Sequence, residues 1–193
     1  MAIDKVIFLD RDGVINRDSP NYIKCWEEFE FLPGSLEALR LLTQAGYHLI
    51  LITNQSIINR GMATAEDLAH THRRLREAVA AAGGQIFDIF FCPHQPDEHC
   101  DCRKPKPGLI LQAQARHGIE LARTIMIGDS GRDIRCGRQA GCGATILVRT
   151  GYKPDVEQRL AAEGLHPDAV ADDLLAAARW ILARNLFPAP GRP

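Results

Sequence analysis

No apolar run in this 193-residue chain approaches the ~18 residues that a membrane-spanning helix needs. The start, MAIDKVIFLD, carries an acid where a signal peptide would be basic and passes straight into a short β-type run. No targeting segment is read there, and the cytoplasm is the expected compartment. An excess of charge of one sign is also missing. The formal net charge is −1, which argues against a nucleic-acid binder held by a broad basic surface. Aromatic residues make up only 6% of the chain, and no stripe interleaves them with cations as single-strand-binding surfaces do. Phosphorylated small molecules remain compatible, because a few aimed cations suffice locally. Internal repeats and low-complexity segments are absent as well.

What is present is ordinary globular composition, with 46% hydrophobic and 24% charged residues. The length suits a single domain, expected over 1–186, with the Pro-rich end from 187 to 193 as a flexible tail. Apolar runs alternate with helical patterns. Strands are expected at 5–10, 47–53, 86–92, 124–129 and 144–148, with a short sixth segment at Ala169-Val170. Helices are expected over 35–46, from Thr64 to about Ala82, from Pro107 to Gly118, over 131–140, near 155–163 and near 172–184. Thr64 followed by Asp67 has the pattern of a capping box, and Pro107 suits the first turn of its helix. Near-continuous apolar strands separated by helices imply an α/β fold: a Rossmann-like parallel sheet covered on both faces. In such sheets ligands sit outside the carboxyl ends of the strands, near the switch in strand order.

The strand ends are chemical. The first ends in Asp10, the second in Thr53, the fourth in Asp129, and the third runs into CPHQPDEHCDCRKPKPG. That stretch holds three cysteines and two histidines between positions 92 and 102, directly before Arg103 and Lys104. In a reducing compartment such a cluster reads as metal before disulfide. Cys92, His94, Cys100 and Cys102 form a closed tetrahedral zinc set with no position left for a reacting water. His99 is a rival fourth ligand; His94 is favoured because it pairs symmetrically with Cys92. The expected role is structural: the metal fixes a loop so that Arg103 and Lys104 point into a site. Cys25, Cys136 and Cys142 read as small apolar fillers.

Asp10-Arg11-Asp12-Gly13 puts two carboxylates two residues apart just past a buried strand. A capped turn would account for the pattern alone. The chemical reading is a nucleophile and a proton donor, with the nucleophile forming an aspartyl-phosphate.

FLDRDGVIN, LITNQ, the lysine of CRKPKPG and IGDSGRD resemble, in order, the four motifs of the haloacid-dehalogenase superfamily of phosphohydrolases. The resemblance implies that Asp10 is the nucleophile and Asp12 the general acid/base. It implies that Thr53 donates its hydroxyl and backbone N–H to the phosphoryl group, and that Lys104 neutralises the nucleophile and that group. It further implies Mg²⁺ held by Asp10, Asp129 and the backbone carbonyl of Asp12, with Asp133 supporting that shell. The physical logic stands beside it: an anionic nucleophile approaches an anionic phosphate only when cations cancel the repulsion.

Within the superfamily the zinc loop followed by CRKP is similar to the branch of heptose bisphosphate phosphatases and histidinol-phosphate phosphatases, over roughly residues 5–152. DGVINRDSPNYIK, FEFLPGSLEAL and VRTGY resemble the heptose type more. Hydrolysis of the 7-phosphate of D-glycero-D-manno-heptose 1,7-bisphosphate is therefore the leading expectation, by a monomer without nucleic-acid or membrane partners. Ile57 stands where that branch usually has glycine, and Ser130 where some members have lysine; both are expected beside the substrate mouth. Candidate substrate contacts are Asp18, Asn21 and Tyr22, then Asn54, Gln55 and Ser56, together with Arg103 and Ser130. Neither the gap from Asp12 to Thr53 nor that from Cys92 to Lys104 can hold a cap domain, so loops 16–24 and 93–103 must screen the site.

Arg103 is the candidate for a second phosphate. Histidinol phosphate is the alternative substrate and would need an acid for its amine, for which Asp18, Glu27 and Glu28 are available. A polynucleotide-end phosphatase is a further alternative, opposed by the charge balance. A non-enzymatic zinc module would have no use for Asp10, Asp12, Lys104 and Asp129 together.

Overall fold

The computed structural model describes residues 3–151 and 155–187. Six strands form one parallel sheet: β1 (Val6–Leu9), β2 (His48–Asn54), β3 (Ile86–Cys92), β4 (Ile125–Gly128), β5 (Ala144–Val148) and β6 (Ala169–Ala171). Their spatial order is β3-β2-β1-β4-β5-β6. The chain first winds outward from β1 to β3, then returns to place β4 on the other side of β1. The reversal lies between β1 and β4, the position where parallel sheets open a crevice at their carboxyl ends.

Six helices cover the sheet: α1 (Ser35–Gln44), α2 (Ala65–Ala81), α3 (Gly108–His117), α4 (Gly131–Ala140), α5 (Val156–Ala162) and α6 (Leu174–Arg184). Side chains alternate across each strand, so one run feeds two cores. Ile7, Leu9, Leu49, Leu51, Ile125 and Ile127 pack with Leu39 and Leu42 of α1, Leu75 of α2 and Ile181 of α6. Val6, Phe8, Ile50, Ile52 and Met126 pack on the opposite face with Leu109 and Ile110 of α3 and Cys136 of α4. Cys136 and Cys142 are buried fillers, as expected, and Cys25 is only partly buried.

The local signals acted as their chemistry dictates. Thr64 Oγ1 accepts from the Asp67 N–H at 3.1 Å while the Asp67 carboxylate accepts from the Thr64 N–H at 2.8 Å, closing the first turn of α2. Pro107 stands at the N-cap position of α3 without a side-chain hydrogen bond, directly before its first turn, and Gly118 ends the helix with a left-handed φ of 65°. The segment between β1 and α1 holds only a single 3₁₀ turn at Trp26–Glu28, and that between β3 and α3 only one at Pro96–Glu98. No cap domain is inserted at either place. Phe187, the first residue of the expected tail, packs against the core, and 188–193 lie outside the described residues, as does Tyr152 of VRTGY. Among the described residues no helix is long and apolar enough to cross a membrane.

Candidate active site and zinc loop

A cavity of about 210 Å³ opens at the carboxyl ends of β1, β2 and β4. Asp10, Asp12, Thr53, Lys104, Asp129 and Asp133 all line it, drawn from four separate stretches of chain. Asp10 follows β1, and its N–H continues the sheet by donating to the Ile127 carbonyl at 3.0 Å. Lys104 is 2% exposed and pairs with Asp10 Oδ2 at 2.7 Å and Asp133 Oδ1 at 2.6 Å. Asp133 is also fixed by the start of α4, where its Oδ2 accepts from the Ser130 N–H at 3.1 Å and the Ser130 hydroxyl at 2.5 Å.

Two glycines let the acids approach. A Cβ on Gly128 would lie 2.1 Å from the Asp133 Cβ, and one on Gly13, at φ 80°, would lie 2.5 Å from Asp129 Oδ2.

The electrostatics follow from this crowding. Burial pushes Asp10 up to about 7, opposed by Lys104 and reinforced by Asp133. Burial likewise raises Asp129 well above the usual carboxylate range, with the charges of Asp133 and Asp10 adding to it. Lys104 is held above its ordinary value, because Asp10 and Asp133 together outweigh its burial. Three carboxylates, Asp10, Asp129 and Asp133, bring oxygens within 4.8 Å of one another, with one lysine to balance them. An all-oxygen donor set of this density is what a hard divalent cation such as Mg²⁺ takes.

Asp12 behaves differently. Its Oδ1 accepts from Arg11 Nε at 3.1 Å and from Asn16 Nδ2 at 2.8 Å, and its Oδ2 accepts from Arg11 Nη2 and Gln55 Nε2, each at 2.9 Å. Burial favours the neutral acid, but the Arg11 charge and these hydrogen bonds outweigh it and hold Asp12 below its usual range. Arg11 is itself fully buried, with its guanidinium 5.9 Å from the Phe29 ring.

The zinc cluster sits beside the cavity. Cys92 Sγ is 3.5 Å from His94 Nδ1 and 3.6 Å from Cys100 Sγ; Cys102 Sγ is 3.3 Å from His94 Nδ1 and 3.5 Å from Cys100 Sγ. Such separations are the edges of a tetrahedron around a centre ~2.0–2.3 Å from each donor, which fits a zinc-binding site. His99 does not join the cluster; it ends the 3₁₀ turn in a left-handed conformation. Arg103, which lines the cavity, donates from Nη1 to the His94 carbonyl at 2.9 Å, and outside the cavity Glu98 accepts from Asn59 Nδ2 at 2.8 Å.

The candidate substrate contacts divide. Asp18 and Tyr22 line the cavity, as do Arg103 and Ser130, although Arg103 Nη1 is held by the His94 carbonyl and the Ser130 hydroxyl by Asp133. Asn54, Gln55 and Ser56 line it too, but their side chains are engaged with protein: Asn54 with the Lys104 backbone, Gln55 with Asp12 and Thr53, and Ser56 with Arg60. Asn21 lies outside the lining, with its carbonyl accepting from Lys24 Nζ at 3.2 Å. Glu27 and Glu28 are outside it as well, and Glu28 pairs with Lys24. Ile57 is 1% exposed and belongs to the packed interior rather than to the mouth. The sequence reading gave no role to Arg11, Asn16 or Arg132. Arg132 lines the cavity, and its position between Ser130 and Asp133 was the available signal.

The chain has relatives among known proteins. A family model described as "HAD-hyrolase-like" matches residues 101–177. The chain is 43% identical over 180 residues to D-glycero-beta-D-manno-heptose-1,7-bisphosphate 7-phosphatase of Bordetella bronchiseptica, covering 92% of this chain and 98% of that one. It is 42% identical to the enzyme of that name from Pseudomonas aeruginosa, over 92% of this chain and 97% of that one. Among solved structures it is similar to D,D-heptose 1,7-bisphosphate phosphatase from B. bronchiseptica complexed with magnesium and phosphate. There the TM-score is 0.86 and the identity 42%, over 93% of this chain and 99% of that one.

Proposed function

Because the chain belongs to the D-glycero-beta-D-manno-heptose-1,7-bisphosphate 7-phosphatase family of HAD-like phosphatases, we propose that it removes the 7-phosphate of that sugar bisphosphate. The observation that carries the reading is the buried Lys104 contact with both Asp10 and Asp133 in the lining of a cavity that Arg103 also lines.

Asp10, whose Oδ1 accepts from the Arg11 N–H at 2.7 Å and whose Oδ2 pairs with Lys104, attacks phosphorus through a carboxylate oxygen, the phosphorus–oxygen bond to the sugar breaks, and an aspartyl-phosphate forms. Asp12 is assigned both proton transfers. It must first take up a proton, against the pull of Arg11, Asn16 and Gln55, to give it to the departing alkoxide, and as the carboxylate it then removes one from the water that hydrolyses the intermediate. Thr53 binds the phosphoryl oxygens, and Lys104 cancels charge between nucleophile and phosphate. Asp10, Asp129 and the Asp12 carbonyl would hold Mg²⁺, with Asp133 beside them; when bound, the ion neutralises charge developing on the phosphoryl group. Cys92, His94, Cys100 and Cys102 would hold zinc in a structural role.

Arg103, anchored to the zinc loop, is assigned to the phosphate that stays on the sugar. Histidinol phosphate keeps one acid for its amine in the cavity, Asp18, and it is the similarity to heptose bisphosphate phosphatases that favours the sugar bisphosphate over it. The cavity suits a small phosphorylated sugar, and its lining is complete within one chain, which supports a monomer as the acting unit.

The test is phosphate release from a panel holding both anomers of heptose 1,7-bisphosphate, histidinol phosphate and a 3′-phosphorylated oligonucleotide. The bisphosphate should be turned over with the highest kcat/KM and lose phosphate from carbon 7. A preference for histidinol phosphate or the oligonucleotide overturns the substrate assignment.

A further inference from the structure

Asn54 and Gln55 follow the catalytic Thr53 directly, and residues in that place would ordinarily be counted as substrate contacts. Their side chains point elsewhere. Asn54 Nδ2 donates to the Lys104 carbonyl at 3.2 Å, and its Oδ1 accepts from the Lys104 N–H at 3.1 Å. One side-chain amide thus pairs with both backbone groups of a single residue, as a neighbouring strand would. Gln55 is 2% exposed, and its Nε2 lies 2.9 Å from both Asp12 Oδ2 and Thr53 Oγ1.

We infer that Asn54 and Gln55 are positioning residues, Asn54 acting through Lys104 and Gln55 through Asp12, rather than contacts for the sugar. The inference rests on the roles given above to Lys104 and Asp12.

The physical need is specific. Lys104 arrives on a loop after the zinc cluster, not on a strand, and a lysine side chain has four rotatable bonds. Holding its Nζ on Asp10 and Asp133 requires a fixed backbone from which those bonds start. No ladder of the sheet reaches Lys104; Asn54, the last residue of β2, extends that order by two hydrogen bonds. Misplacement of a reacting group by ~1 Å can cost about a hundredfold in rate. Gln55 does the same for Asp12, sharing the carboxylate with Arg11 and Asn16.

The test is steady-state kinetics of Asn54→Ala, Gln55→Ala and Lys104→Ala, singly and as the two pairs with Lys104→Ala. Heptose 1,7-bisphosphate and p-nitrophenyl phosphate serve as substrates, and thermal unfolding is followed in parallel. Asn54→Ala should lower kcat by about ten- to a hundredfold for both substrates with KM within about threefold of native. In the Lys104→Ala background the same substitution should add less than about threefold, because the group it positions is gone. Gln55→Ala should show the same split, but its loss should persist in that background, because it acts through Asp12.

A raised KM with kcat preserved would make Asn54 or Gln55 a substrate contact and overturn the inference for that residue. A full Asn54→Ala loss in the Lys104→Ala background overturns it equally. If Asn54→Ala does not fold, Asn54→Asp, which keeps the acceptor and loses the donor, is read by the same criteria. Lys104→Ala with native kcat would instead refute the role of Lys104, separately from Asn54.

Discussion

The acid cluster and the zinc loop are neighbours built in opposite ways. Asp10, Asp12, Asp129, Asp133 and Lys104 come from widely separated stretches and meet only because β1 lies between β2 and β4. Cys92 ends β3, and His94, Cys100 and Cys102 follow it in the next loop, so the four meet within one short stretch of chain. Their chemistry differs in step. Oxygen donors around a cavity suit a hard cation that exchanges while a substrate enters, whereas three thiolates and an imidazole close a tetrahedron and leave nothing for substrate. One region is built to react. The other is built to stay still, and through the Arg103 hydrogen bond to the His94 carbonyl it lends that stillness to the first.

The comparison is broken most severely at the nucleophile. Asp10→Asn should abolish turnover by several orders of magnitude while leaving the thermal unfolding transition near native, since an amide is a poor nucleophile. Retention of a tenth of the native kcat in the purified variant would remove Asp10 from that role.

A smaller but broader effect should follow from the zinc loop. Cys100→Ser should lower zinc content, measured by elemental analysis, and lower Tm, at roughly 2–4 °C per kcal/mol for a domain of this size. It should also reduce kcat/KM for the bisphosphate at least as far as loss of Arg103 does, because the loop carries both Arg103 and Lys104. Mild EDTA treatment of the native protein should remove activity that Mg²⁺ restores, with about one zinc per chain retained throughout. A fully active zinc-free protein would show the two regions to be independent.

The smallest effect sharpens the division of labour inside the cavity. Arg103→Ala should raise KM for the bisphosphate with little change in kcat, by the logic of a contact made equally in ground and transition states. Loss of one charge-assisted contact is worth about 1.5–3 kcal/mol, or roughly ten- to a hundredfold in kcat/KM. Turnover of p-nitrophenyl phosphate should barely change. Equal losses on both substrates would detach Arg103 from the second phosphate.

Legibility in the sequence tracked this same contrast between local and assembled features. The Cys/His cluster was readable from spacing, and Cys92, His94, Cys100 and Cys102, without His99, are the residues whose donor atoms lie together. The Thr64–Asp67 box and the Gly118 stop were equally local, since a cap is made within three or four residues of itself. The strand ends placed Asp10, Thr53 and Asp129 on one edge, because parallel strands share a direction.

Side-chain aim was a different matter. Asn21, Glu27 and Glu28 lie in a segment whose length was clear, yet none of them lines the cavity, and Glu28 pairs with Lys24 instead. Ile57 was placed at the mouth by its position in NQSIINRG, but apolar burial outweighs proximity and takes it to the interior.

The sequence alone determined that acids, a lysine and a closed thiolate cluster would stand at the carboxyl edge of a parallel sheet. Apolar periodicity sets the strands, and ligand spacing within one loop is a local property. Tertiary structure alone decided which polar groups touch. The buried Arg11 clamps Asp12, Gln55 joins Asp12 to Thr53, and Asn54 grips the backbone of a lysine fifty positions away. Hydrogen bonds act over about 3 Å and depend on angle, so their partners are fixed only when the packed sheet and the docked loop have brought the two backbones into place.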